Sequence, residues 1–281
     1  MLWRNCSQAT DLKIFPRPKT MSGMKSCVGL IILTLFLWEP THAQTAQPGS
    51  KIKKGVFYFA LGSHRIFYTA STIHVIRAYD SFFDFKLIKV KGRDEGGLRF
   101  DEAPQFSYTI GYYFKAGKFG IEYQYDHIKY FVRQNQVAHL KGRIGNEQFD
   151  QDTVINPDFF QLEHSDGGNY AMINLVKWMP LTSPIHKITL ELMLKAGLGL
   201  VNPKTNSTIL GQHRDDKYHI SGYVLGVEPA LRFHIGKYFF ATGGFKCAWA
   251  NYDHFLIWNG YGKQQWFSGQ FNYLLGSQFP L

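Results

Sequence analysis

From Trp266 to the end of the chain, side chains alternate. Phe267, Gly269, Phe271, Tyr273, Leu275, Ser277 and Phe279 fall on one side, and Ser268, Gln270, Asn272 and Gln278 on the other. A period of two is that of a β-strand with one apolar and one polar face. The same pattern recurs upstream and predicts eight strands, at about 55–69, 104–115, 118–132, 158–178, 187–200, 218–235, 238–251 and 264–281. Three are especially regular. Phe106, Tyr108, Ile110, Tyr112 and Phe114 oppose Gln105, Ser107, Thr109 and Gly111. Phe119, Ile121, Tyr123 and Tyr125 oppose Gly120, Glu122, Gln124 and Asp126. Ile188, Leu190, Leu192, Leu194, Ala196, Leu198 and Leu200 oppose Thr189, Glu191, Lys195, Gly197 and Gly199. The fourth strand is expected to bulge at Gly167-Gly168.

The connections alternate in length. Loops at 70–103, 133–157, 201–217 and 253–263 are long; those at Ala116-Gly117, Met179–His186 and Gly236-Lys237 are short. The first long loop contains a β-like run, Tyr79–Val90, expected to form a hairpin above the rest. Alternation of this kind, with an even strand count, predicts an all-β fold: an eight-stranded antiparallel up-and-down transmembrane β-barrel with short periplasmic turns and long extracellular loops.

A secreted β-sandwich or lipocalin-like barrel would alternate too, with its apolar face inward. Three features favour the membrane. The strands are long for soluble sheets, where about 5–6 residues is usual, and reach the ~9–11 that a tilted crossing needs. Aromatic residues gather toward strand ends, as interfacial girdles do. The polar faces carry opposite charges at mid-strand, namely Glu122, Glu191, Lys195, Glu228, Arg232 and Lys246. An eight-stranded barrel has an interior only wide enough for side chains, so these charges are expected to pair and plug the lumen.

Val28–Trp38 is an apolar core preceded by Lys25 and followed by Thr41-His42-Ala43, the form of a secretory signal peptide cut after Ala43. It lies far from Met1, so translation is expected to start at Met21 or Met24. Residues 44–54 read as a polar periplasmic tail, and 55–281 as the barrel. After cleavage Cys247 is alone, so no internal disulfide is expected. The chain has a net charge of +10; the leader holds five basic and two acidic residues, leaving +7. Such a surface suits anionic head groups or lipopolysaccharide phosphates, and no nucleic-acid motif accompanies it. Arg77, Lys86, Lys89, Lys91, Arg93, Arg133, Lys141 and Arg143 place much of this charge in the two longest loops.

From Gly55 to Leu281 the pattern resembles the small eight-stranded outer-membrane proteins, the class of the OmpA membrane domain, OmpX and the lipid A-modifying barrels. Phe279 before Pro280-Leu281 stands close to the terminal aromatic that the assembly machinery reads in that class. Ser71-Thr72-Ile73-His74 and Glu163-His164-Ser165-Asp166-Gly167-Gly168-Asn169-Tyr170 resemble elements of a group of barrels without an assigned activity. The expected setting is the outer membrane, as a monomer in contact with outer-membrane lipid and lipopolysaccharide and with the outer-membrane assembly machinery.

One constellation has chemistry to weigh. Glu163, His164, Ser165 and Asp166 fall near the outer rim, where a lipid A or phospholipid acyl-ester hydrolase would use a serine, a histidine base and an acid. On a regular strand, however, His164 and Ser165 point to opposite faces. The expected role is therefore a polar rim and a non-enzymatic protein acting through its loops, with the hydrolase as the alternative. His74 with Asp80 and Asp84 in the first loop could bind a metal or act in acyl transfer, but mixed loop residues of this kind are usually just solvated. Asp215-Asp216 near His213 and His219 could bind a divalent ion, but their spacing matches no known site. No metal or other cofactor is expected.

Overall fold

Seventeen strands follow in the computed structural model: β1 (Val56–Tyr68), β2 (Ser71–Arg77), β3 (Phe83–Val90), β4 (Gly92–Arg93), β5 (Ser107–Tyr113), β6 (Phe119–Asp126), β7 (Tyr130–Val132), β8 (Gln136–Ile144), β9 (Glu147–Ile155), β10 (Phe160–His164), β11 (Tyr170–Pro180), β12 (Ile188–Val201), β13 (Asn206–Ile209), β14 (Gln212–Asp215), β15 (Gly222–Ile235), β16 (Phe239–Ile257) and β17 (Gly260–Pro280). The structure describes residues 55–77, 82–94, 105–114, 118–164, 166–181 and 188–281. The leader, the 44–54 tail, Asp80, the Ala116-Gly117 turn and Ser165 lie outside them.

Eight strands pair in the order β1-β5-β6-β11-β12-β15-β16-β17, and β17 pairs again with β1 from Val56↔Pro280 to Tyr68↔Ser268. All pairs are antiparallel, so the sheet returns on itself, although β5 covers only the Val56–Gly62 half of β1. The chain enters and leaves at the end with the short turns.

The alternation resolves which face is which. Along β17, Phe267, Phe271, Tyr273 and Leu275 are exposed, while Ser268, Gln270 and Asn272 are buried. The same holds around the ring: Leu61, Leu198, Phe233 and Phe239 face outward, and Glu122, Lys195, Glu228, Arg232 and Lys246 are at most 3% exposed. Apolar residues outside and charges inside invert the soluble pattern. From Phe267 to Phe279, at ~3.3 Å per residue and ~45° tilt, the apolar stripe is about 28 Å tall, close to the ~25 Å band of membrane barrels. Outward rings meet at both ends, Phe59 on Phe279 at one and Tyr223 on Trp249 at the other. Not every aromatic near a strand end joins these girdles: Tyr58, Trp178 and Trp266 point inward.

The long connections are more ordered than their composition suggests. The first holds a β2–β3 hairpin, beginning at Ser71 rather than Tyr79. The 133–157 segment, read as loop, is the β8–β9 hairpin, and 201–217 holds β13–β14. The fourth loop, placed at 253–263, shrinks to a turn: β16 runs on to Ile257 and β17 begins at Gly260, with Asn259 at φ +49°. The predicted fourth strand is broken into β10 and β11. Gly167 at φ +117° and Asn169 at φ +32° turn the chain there more sharply than a bulge.

Beyond the ring, β2, β3, β8 and β9 extend the sheet from the upper part of β17. A second sheet, β14-β13-β10-β7-β4, lies with it. Their apolar faces share one core with the upper interior of the ring: Ile73, Phe85, Leu140, Phe160, Tyr130 and Trp266 all belong to it. We call this assembly the cap.

Candidate functional site

The lumen is layered. Near the short turns, Tyr58, Tyr113, Val176, Met193, Phe240 and Leu274 form an apolar plug. The Arg232 guanidinium sits among their rings, 3.9 Å from the Phe240 centroid and 4.4 Å from that of Tyr58, contacts that a desolvated cation favours. Above it Lys195 Nζ lies 2.9 Å from Glu122 Oε1. It is also 3.3 Å from Glu228 Oε1, an ion pair without hydrogen-bond alignment. Lys246 pairs with Asp126 and lies 4.0 Å from Glu228 Oε2. Neutral groups complete the layer: Tyr58 donates to Glu122 at 2.9 Å, Asn272 to Glu228 at 2.9 Å, Ser107 to Asp126 at 2.6 Å, and Asn174 to Gln124 at 3.0 Å. Three carboxylates thus share two lysines, with the Arg232 cation in the plug beneath them. Gly244 makes room for this layer, since a Cβ there would stand 2.7 Å from Glu228 Oε1. Four of the six mid-strand charges singled out in the sequence, Glu122, Lys195, Glu228 and Lys246, meet here, and Arg232 lies just below. Glu191 lies apart, 2.8 Å from His234 Nε2. The sequence reading missed Asp126, although it sits on the same face as Glu122.

The rim constellation is not assembled as a catalytic centre would be. His164 is fully buried in the cap. Its ring stacks on Tyr252 at 5.3 Å with planes 7° apart, meets Phe255 edge-on at 5.3 Å, and lies 6.3 Å from Trp266. Nδ1 is 3.0 Å from Thr205 Oγ1, and Nε2 has no partner. Burial alone pushes its pKa down to about 3, so the ring is neutral and no carboxylate orients it. Glu163 occupies the other face of β10, as alternation requires. Asp166 is exposed and held by Lys204, and Ser165 is outside the described residues. A polar rim of hydrogen bonds fits Asp166, whose backbone carbonyl also accepts from Tyr218 at 2.8 Å; it does not fit His164, which belongs to an aromatic core.

The basic loop residues divide. Arg77, expected at the surface, is buried 3.6 Å under the Trp258 ring, because β2 pairs into the sheet and turns that side chain inward. Lys141 pairs with Asp150 at 3.0 Å, and Arg143 lies over Phe82 at 5.0 Å. Arg93 lies over Phe131 at 5.2 Å, and Arg133 donates to the Gly92 carbonyl at 3.2 Å. Lys86, Lys89 and Lys91 are exposed. His74 is held by Asp84 at 2.6 Å, and Asp215 and Asp216 by Lys204 and Arg214 at 3.1 Å each. Among the described residues no three His, Cys, Asp or Glu side chains converge as metal ligands would.

Neither a family model nor a curated protein matches the sequence. Several solved structures resemble it, two of them as follows. One is Neisserial surface protein A (NspA), at 12% identity and a TM-score of 0.34, covering 80% of this chain and 97% of that one. The other is Ail, the attachment invasion locus protein of Yersinia pestis, at 10% identity and a TM-score of 0.28, covering 80% and 99%.

Proposed function

We propose that this chain is an integral outer-membrane β-barrel of eight strands, with short periplasmic turns, a sealed lumen and a non-enzymatic role exercised through its extracellular cap. The observation that carries the reading is the inversion of polarity: a closed ring of strands exposes Leu, Ile and Phe and buries a balanced set of charges. In water such a surface would aggregate, and only lipid satisfies it. The acyl-ester hydrolase alternative would need His164 at the outer surface, where lipid could reach it.

Placing a charge on the apolar face tests the membrane. Phe271→Arg is expected to lower the stability of the protein folded into bilayers by about 2–4 kcal/mol if Phe271 lies near the midplane, and less toward an interface. An unchanged denaturation midpoint would contradict a lipid-facing Phe271. The lumen is tested separately. Folded protein, identified by heat-modifiable migration, is expected to give no steady conductance in planar bilayers, because apolar layers lie both below and above the charged one. A stable open level in single-channel recordings would overturn the sealed lumen.

A further inference from the structure

The outward face of β17 does not end with its last apolar residue. Beyond Phe267 the same face continues through Gln265 to Lys263, which stands about 9 Å past Phe267 at ~3.3 Å per residue and ~45° tilt. The head-group layer of a bilayer occupies the ~5–8 Å outside the hydrocarbon. Lys263 therefore lies at or just above it.

Lys263 begins a row. It is directly opposite His74 on β2, His74 is opposite Lys86 on β3, Lys86 is opposite Lys141 on β8, and Lys141 is opposite Asp150 on β9. Residues directly opposite share a face, so four basic side chains cross the cap side by side. Two carboxylates are already engaged, Asp84 with His74 and Asp150 with Lys141 and His139. Lys86 and Lys263 form no ion pair among the described residues; Lys263 only lies over Tyr261 at 5.7 Å. Like charges directly opposite destabilise a sheet, and Lys86 faces Lys141 with no carboxylate between them. Arg143, on the next row and opposite Asp84, adds to the same face.

We propose that this row, centred on Lys86 and Lys263, is a lateral site for the phosphates of an anionic sugar-headed lipid of the outer leaflet. The inference rests on the outer-membrane reading above. It adds the ligand class and the side chains that hold it. A membrane lipid, rather than a soluble polyanion, fits because the row continues the lipid-facing stripe and starts at head-group height.

The test uses the mature chain folded in nanodiscs containing bisphosphoryl lipid A, with native mass spectrometry counting lipid A molecules retained after exchange into phosphatidylcholine. Wild type is expected to retain lipid A, and to lose it at high salt. Lys86→Gln with Lys263→Gln is expected to weaken retention at least about tenfold, at roughly 1 kcal/mol for each lysine near a charged surface. Lys237→Gln with Lys118→Gln, equal in charge at the opposite end, should leave it unchanged. Equal retention of dephosphorylated lipid A, or binding of a sulfated heparin oligosaccharide with no lipid A retained, would overturn the proposal. Failure to show heat-modifiable folding would instead remove the barrel reading on which it stands.

Discussion

Replacing Lys195 by methionine is expected to lower the stability of the folded barrel by about 3–5 kcal/mol, the range for removing one partner of a buried ion pair. The aliphatic part of the side chain is kept, so the effect isolates the charge. Lys195 is the cation shared by Glu122 and Glu228. Without it Glu122 keeps only the hydrogen bonds from Tyr58 and Asn174, and Glu228 keeps Asn272, Gln124 and a distant Lys246. Adding Glu122→Gln should recover a large part of the loss, because a neutral amide no longer needs the cation. Urea unfolding of the single and double variants in bilayers reads both numbers. The experiment also reports on water in the lumen. In a wet pore, exposed pairs are worth about 0–1 kcal/mol, so a loss below about 1 kcal/mol for Lys195→Met would show the charged layer to be solvated.

That layer was legible in the sequence for a simple reason. On a strand the phase is fixed by a period of two, so a mid-strand Glu or Lys among outward Leu and Phe has only one place to point. Glu122, Lys195, Glu228, Arg232 and Lys246 all point inward by this rule. The cap was less legible. β9 is exposed on both faces over most of its length, so no alternation marks it as a strand, and charged residues read as loop. Val137 and Val154, directly opposite each other in the β8–β9 hairpin, are both exposed and carry no core signal. Arg77 misleads in the other direction: its charge suggests a surface, but register places it under Trp258. The environment of His164 could not be read at all. Its neighbours Tyr130, Tyr252, Phe255 and Trp266 come from three other strands, and only closure of the ring brings them together.

The cap should accordingly loosen in mild acid. His164 takes up a proton in the unfolded segment near pH 6.5, whereas burial holds its folded pKa at about 3. Between these values the unfolded state binds one more proton than the folded state, so stability rises with pH by about 1.4 kcal/mol per unit. Its contribution is therefore complete above about pH 6.5, falls as the pH drops, and levels off near pH 3, a total of about 5 kcal/mol. The window from pH 6.5 to 5 is the informative one, because carboxylates barely titrate there. Hydrogen exchange of amides in β10 and β13, corrected for the intrinsic pH dependence of exchange, is expected to show protection falling about tenfold for each unit of acidification. In His164→Leu the absolute protection will shift, since the Thr205 hydrogen bond is lost, but the slope should shrink to what His127 contributes, whose pKa burial also lowers. His139, held by Asp150 and Asp152 at 2.8 and 2.9 Å, has its pKa raised by those carboxylates. Its contribution runs the opposite way, present in acid and lost as the pH rises, and it stiffens the β8–β9 hairpin rather than β10. An unaltered slope in His164→Leu would assign the acid response to some other group and leave the aromatic cage as packing alone.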